Sequence, residues 1–203
     1  MKLGVIVLRR SVIVAAAAAF LVGGFSAPAI AKSEDNALQN RIDQQLREYP
    51  GGTQVSDNAI AYGDGEAVVV FPSTGQDKAP AGLGANVRAD KLKTAGVLPQ
   101  STVGTQDVKG CPTGTFAYWY CFYQFRDFGG SRWQFKDTTK GDARDWGFDN
   151  KTSSVVNTKR SGSIDGYQFG SQSGDFLFSV PRNTTRAYVG STADNRMTSW
   201  QWT

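Results

Sequence analysis

The chain has 203 residues, a formal charge of +4, two cysteines, five tryptophans and no histidine. Such a length holds one mid-sized domain with appendages or two small domains. The missing imidazole excludes histidine-dependent hydrolase triads, the paired histidines of the zinc metalloprotease helix motif and the usual general base near neutral pH, so a non-enzymatic role is expected.

Residues 1–31 read as a secretory leader. Lys2, Arg9 and Arg10 form a basic start, Val12 to Phe25 is almost wholly apolar or small, and Ala29-Ile30-Ala31 supplies a small-x-small cleavage pattern. The apolar run, about 14 residues, falls short of the roughly 20 needed to span a bilayer, so no stable membrane insertion is expected after cleavage. Removing the three leader cations leaves 19 basic and 18 acidic residues, a net charge of +1. The basic balance therefore belongs mostly to the leader and gives no reason to expect nucleic acid.

Residues 32–71 predict a helix followed by a β-hairpin. Ser33, Glu34 and Asp35 can open the helix, and Leu38, Ile42, Leu46 and Tyr49 draw one apolar stripe before Pro50-Gly51-Gly52 ends it. Val55 to Tyr62, a Gly63-Asp64-Gly65 turn and Ala67 to Phe71 make the hairpin. This unit is too small to stand alone with confidence, and it either docks on the rest of the chain or serves as a pro-region. Residues 72–110, rich in Ala, Gly, Thr and Lys and free of aromatics, read as a linker.

Residues 111–203 carry 19 of the 24 aromatic side chains, so the large core belongs there. In an oxidising compartment Cys111 and Cys121 are expected to form one local disulfide, the alternative being two buried free thiols. Short period-two runs at Tyr118, Tyr120, Phe122, at Trp133, Phe135, at Tyr167, Phe169 and at Phe176, Phe178, Val180 alternate with glycine turns. Two hexapeptides, Asp149-Asn150-Lys151-Thr152-Ser153-Ser154 and Asp194-Asn195-Arg196-Met197-Thr198-Ser199, share the spelling D-N-x-x-[S/T]-S and begin 45 residues apart. Repeats of that period leave room for four short strands each, which predicts a mainly β fold: two Greek keys packed as a β-sandwich. The hexapeptides offer carboxylate, amide and hydroxyl oxygens suited to calcium, with ligands drawn from both copies. Asx turns and caps use the same residues at the same offsets without any metal, and spacing leaves both readings open.

Tyr123-Gln124-Phe125-Arg126-Asp127-Phe128-Gly129-Gly130 resembles the Y-x-x-x-x-F-x-G hairpin of the βγ-crystallin Greek key, and each hexapeptide resembles the calcium-binding signature of that fold. In the second key Tyr167 and Gly174 keep their offsets while Gln172 replaces the aromatic. The wider chain is similar to secreted actinobacterial βγ-crystallin proteins of peptidase inhibitor family 36. The features that carry this are the R-I-D of Arg41 to Asp43, the P-G-G-T from Pro50, the C-P-x-G from Cys111, the C-F-Y from Cys121 and the N-K-T-S-S from Asn150.

The resemblance implies a βγ-crystallin-like sandwich preceded by a short helix and hairpin, inhibiting a secreted metalloproteinase through an exposed loop, and the chain is expected to act as a monomer. A loop-bracing second disulfide is expected in such inhibitors. No cysteine follows Cys121, so no inhibitory loop is assigned. For calcium, the expected ligands are the carbonyls of Lys151 and Arg196 and the hydroxyls of Ser153 and Thr198, with Asp149, Asn150, Asp194 and Asn195 shaping the loops or adding oxygens. The alternative function is a calcium-binding extracellular structural or surface-binding module without inhibitory activity, and a secreted toxin or wall-binding role stays open because a fold does not fix a function.

Other motifs point elsewhere. Trp200-Gln201-Trp202 places two indoles on one strand face, either as core or as an exposed stacking platform. Asp142, Asp145 and Asp149 could hold a glycosidase-like carboxylate pair only across a defined cleft. Lys159, Arg160, Arg182 and Arg186 lack the clustering of a phosphate-tracking groove.

Overall fold

The computed structural model describes residues 29–87, 106–113 and 119–203, with side chains from residue 36 onward. Almost all of the expected leader, and Tyr118 of the expected strand, lie outside these residues. Among the described residues no helix is long and apolar enough to cross a membrane.

Helix α1 spans Ala29–Glu48 and so begins before Ser33, which lies inside the helix instead of capping it. Ala29 and Ala31 are strong helix formers that extend it backward. The expected stripe is the packed face: Ile42 is fully buried, and Leu38, Leu46 and Tyr49 rest on the core. Gln45, on the same face, donates from its amide to the Trp146 carbonyl at 3.1 Å. Just past Pro50, Gly51 at φ 93° carries the chain away in a conformation that costs glycine little.

The expected hairpin is a three-stranded meander. The run from Val55 to Tyr62 breaks at Asp57-Asn58 into β1 (Thr53–Ser56) and β2 (Ala59–Tyr62), and β3 (Ala67–Val70) follows. Asn58 holds the break by donating from its side chain to the Phe71 carbonyl at 2.9 Å. β2 and β3 are buried throughout because each faces two cores. Ile60, Tyr62, Ala67 and Val69 point into the sandwich, whereas Ala59, Ala61, Val68 and Val70 belong to a second apolar cluster.

Eight strands further along the chain form two Greek keys. The first comprises β6 (Tyr120–Phe125), β7 (Gly129–Phe135), β8 (Lys140–Asp142) and β9 (Ser154–Asn157); the second comprises β10 (Ser163–Phe169), β11 (Ser173–Pro181), β12 (Thr184–Arg186) and β13 (Ser199–Trp202). All pairings are antiparallel, in the orders β1-β2-β3-β7-β6-β9-β12 and β11-β10-β13-β8. Each key thus lends its third strand to the other key's sheet. That exchange is the strand arrangement of the βγ-crystallin fold expected from the sequence. β3 pairs along β7, Ala67 opposite Phe135 and Val70 opposite Arg132, so the meander continues the first sheet.

Of the segment expected to be a linker, the described residues 72–87 and 106–110 pack as a cover on the outside of that sheet, and residues 88–105 lie outside the described residues. Gly130 N–H donates to the Asp77 carbonyl at 2.7 Å, and Gly82 N–H to the Gly110 carbonyl at 3.1 Å. Arg132, only 1% exposed, donates to the Pro80 carbonyl at 2.8 Å and to Gln134 at 2.9 Å, while Gln134 donates to the Leu83 carbonyl at 3.0 Å. Ala79, Leu83, Val87 and Val108 add the apolar contact. β4 (Gln106–Val108) pairs with β5 (Cys111–Thr113), so regular structure crosses the expected boundary at residue 110. The expected disulfide is present, joining Cys111 to Cys121 on β6 with both residues fully buried.

Between the sheets lies an aromatic core built by both keys. Trp200 sits 4.7 Å from Phe135 and 5.2 Å from Phe122, ring centre to ring centre, and its indole N–H donates to the Tyr120 hydroxyl at 2.8 Å. Trp202 packs against the same core, which answers the terminal indole pair in favour of packing. The alternation along β11 breaks at a bulge. Gly166 opposes Phe178 but Tyr167 opposes Phe176, so Phe178 and Val180 point inward while Phe176 is 59% exposed.

Candidate functional site

The two hexapeptides are the loops that enter β9 and β13, and the fold sets them face to face. Their contacts are reciprocal. Asn150 N–H donates to the Met197 carbonyl at 3.0 Å, and Asn195 N–H donates to the Thr152 carbonyl at 3.1 Å. Asn150 and Asn195 both hold left-handed backbone, φ 53° and 55°, a conformation asparagine tolerates better than most residues. Side chains cross in the same way: Ser153 Oγ donates to Asp194 Oδ1 at 2.5 Å, and Thr198 Oγ1 donates to Asp149 Oδ1 at 2.6 Å. Each pair takes its carboxylate from one repeat and its hydroxyl from the other.

The last residue of each hexapeptide does a different job. Ser154 Oγ donates to the Phe125 carbonyl at 2.7 Å and accepts from Phe128 N–H at 3.1 Å. Ser199 Oγ likewise donates to the Phe169 carbonyl and accepts from Gln172 N–H at 2.9 Å. These serines latch the β6–β7 and β10–β11 hairpin tips, which share left-handed positions at Asp127 and Phe128 and at Ser171 and Gln172. Because the latch is made to backbone, the second tip keeps its shape although Gln172 stands in for the aromatic. Phe128 packs edge-on to Tyr123 at 5.5 Å; in the second key Tyr167 meets Phe176 at 5.9 Å instead.

Lys151 and Arg196 turn their charged ends away from the crossing pairs. Lys151 Nζ donates to the Gly147 carbonyl at 2.8 Å, and Arg196 donates to the Thr192 carbonyl at 2.6 Å and reaches Asp175 at 3.3 Å. Only their backbone carbonyls have the chemistry to ligate a cation. The crossing pairs therefore gather Asp149, Ser153, Asp194 and Thr198, whereas Asn150 and Asn195 act on the backbone course.

The donor set suits a hard cation. Both hydroxyls direct their protons at carboxylates, which leaves oxygen lone pairs free. No cluster of three or more His, Cys, Asp or Glu side chains is found among the described residues, so any ion held here would depend on hydroxyl and carbonyl oxygen as well as carboxylate.

Sequence reasoning missed Arg126 and Tyr188. The Arg126 guanidinium lies 3.7 Å over the Tyr188 ring, donates to its hydroxyl at 2.8 Å and reaches Asp194 Oδ2 at 3.4 Å. Arg126 occupies a free position of the hairpin motif, so no pattern marks it.

The three aspartates weighed as a glycosidase pair have separate duties. Asp142 caps the turn Ala143–Trp146 through Arg144 N–H at 3.0 Å and holds the Arg144 side chain with both carboxylate oxygens, at 2.8 and 2.5 Å. That hydrogen bonding keeps the Asp142 carboxyl below the usual carboxylate range, unsuited to donating a proton. Asp149 is engaged with Thr198 and Asp145 is exposed. Lys159, counted among the scattered cations, is buried beneath the Trp202 ring at 5.0 Å.

No curated protein matches the chain in sequence. Among solved structures, a βγ-crystallin from an archaeon is 22% identical and a βγ-crystallin from Ciona intestinalis 17% identical. They cover 43% and 42% of this chain and 99% of their own lengths, with TM-scores of 0.33 and 0.36. Residues 104–179, from the cover through the first key and most of the β10–β11 hairpin, match the model of peptidase inhibitor family I36.

Proposed function

We propose that this chain is a secreted, non-enzymatic inhibitor of metalloproteinases, in which a loop carried by the sandwich blocks the protease cleft. The family I36 match carries the reading, since it supports a peptidase-inhibitor role in general. A stiff scaffold is its physical complement: a loop already held in one shape loses little entropy on binding, so a modest contact area can give tight inhibition. The test is titration of thermolysin-like metalloproteinases and of unrelated serine proteases with the purified chain. Inhibition confined to metalloproteinases is expected. Inhibition of serine proteases alone would overturn the metalloproteinase assignment, and full activity of every protease at large molar excess would overturn the inhibitor role.

A second activity, calcium binding between the hexapeptides, is supported by the reciprocal hydroxyl–carboxylate pairs. A ligand that binds only the folded state stabilises it by about 2.7 kcal/mol at a hundred times its dissociation constant. The melting temperature should therefore rise in millimolar calcium and return with chelator. A melting curve indifferent to both would remove this reading while leaving inhibition intact.

A further inference from the structure

We infer that Arg126 acts as a tethered cation at Asp194, making the two halves of the hexapeptide site unequal, so that calcium occupies the Asp149 half first and the Asp194 half only weakly. This rests on the calcium reading above and adds to it a residue that competes with the ion.

Near-perfect pairing elsewhere exposes the asymmetry. Oδ1 of each aspartate accepts from the partner repeat's hydroxyl, at 2.6 Å for Asp149 and 2.5 Å for Asp194. The Oδ2 atoms differ. Asp149 Oδ2 accepts from the neutral Asn150 amide at 3.1 Å, whereas Asp194 Oδ2 faces the Arg126 guanidinium at 3.4 Å. Arg126 is held in place from two sides: its ring contact and hydrogen bond with Tyr188, and the adjacent Asp127 N–H, which donates to the Ala187 carbonyl at 2.9 Å.

The opposite hairpin shows what is absent there. Its latch aligns Phe169 with Phe125 and Gln172 with Phe128, so Gly170 stands where the first key has Arg126. A Cβ on Gly170 would fall 2.1 Å from Arg144 Nη2 and 2.7 Å from Asp142 Oδ2. Arg144 thus fills the space that a side chain at Gly170 would need, and its charge is committed to Asp142 through two hydrogen bonds. Asp149 feels the Arg144 guanidinium electrostatically, beyond ion-pair distance and with that charge held by Asp142, whereas Asp194 meets calcium with the Arg126 guanidinium in direct contact. A divalent ion approaching Asp194 must displace or repel that charge, and the Coulomb term at these separations persists even in a high dielectric.

Calorimetric calcium titration of the purified chain, with Arg126→Gln, Arg126→Lys, Asp149→Asn and Asp194→Asn variants, tests this. Wild type should show one stronger event, lost in Asp149→Asn and kept in Asp194→Asn. Arg126→Gln should tighten the weaker event roughly one-and-a-half- to fivefold, the range expected for one partly exposed charge. Arg126→Lys, which keeps the charge and loses the flat ring contact, should stay near wild type. Melting of each variant in chelator reports folding separately. Two equal events in wild type, or an Arg126→Gln titration that overlays wild type, would overturn the tethered-cation role while leaving calcium binding in place. Heat-silent titrations with unmoved melting curves in every variant would overturn both.

Discussion

The two Greek keys share a backbone plan and differ in what surrounds their hairpin tips. In the first key Phe128 packs on Tyr123, and the cover is fastened beside it through Gly130 and Asp77. In the second key a glutamine fills the same position, and no cover reaches the tip among the described residues. Phe176 stands 59% exposed there, while Phe169, at 55%, is no more exposed than its first-key counterpart Phe125, at 56%. Both tips nevertheless adopt matching left-handed turns beneath a serine latch. The hairpin shape is therefore specified by the serine and the backbone it holds. The tip aromatic adds packing where there is a neighbour to pack on.

The comparison can be broken most severely at the core that both keys share. Trp200→Ala should cost about 3–5 kcal/mol in urea unfolding, because it empties the space between the sheets and leaves the Tyr120 hydroxyl without its indole donor. A loss under about 1 kcal/mol would mean that the keys do not rely on a common core. Next comes the disulfide, present only on the first key's side. Replacing Cys111 and Cys121 together by serine should cost about 2–4 kcal/mol. Hydrogen exchange should rise first in residues 106–113, with β10 and β13 still protected; equal loss of protection in both keys would contradict a separable cover.

The latches sharpen the comparison directly. Ser154→Ala and Ser199→Ala should each cost about 1–3 kcal/mol, since each leaves a hairpin N–H and carbonyl unpaired. Similar losses support a shared mechanism, and a neutral Ser199→Ala would show that Gln172 holds its own tip. The smallest effect is at acid pH. Asp142 has a folded-state pKa below its ordinary value, so its pairing with Arg144 stabilises the fold above the ordinary carboxylate range and is lost as pH falls through the depressed value. The stability gap between wild type and Arg144→Gln should therefore be present near neutral pH and close below about pH 4. A gap that stays constant through the acid range would assign the pair no stabilising role.

Sequence patterns marked what is local or repeated. The stripe from Leu38 to Tyr49 and the two hexapeptides were legible because each is a fixed spacing of side chains with one chemical purpose. The cover was not legible: Arg132 and Gln134 on β7 hold it through backbone carbonyls of Pro80 and Leu83, and carbonyls carry no sequence signature. The same limit hid the join between β3 and β7, which is backbone pairing, whereas the break at Asp57-Asn58 rests on turn-forming side chains that the strand-like run around them masked. The crossing of Asp149 with Thr198 was legible only as an expectation that the repeats face each other. The Arg126–Asp194 contact, 68 residues apart in the chain, depends on the packing of the two keys and had no local mark.

Inhibition is tested most directly by progress curves of a thermolysin-like metalloproteinase with increasing purified chain, in calcium sufficient to keep the protease active. A stoichiometric fall in rate, absent with serine proteases, is the predicted result. Unchanged metalloproteinase turnover at large molar excess of the chain would contradict it.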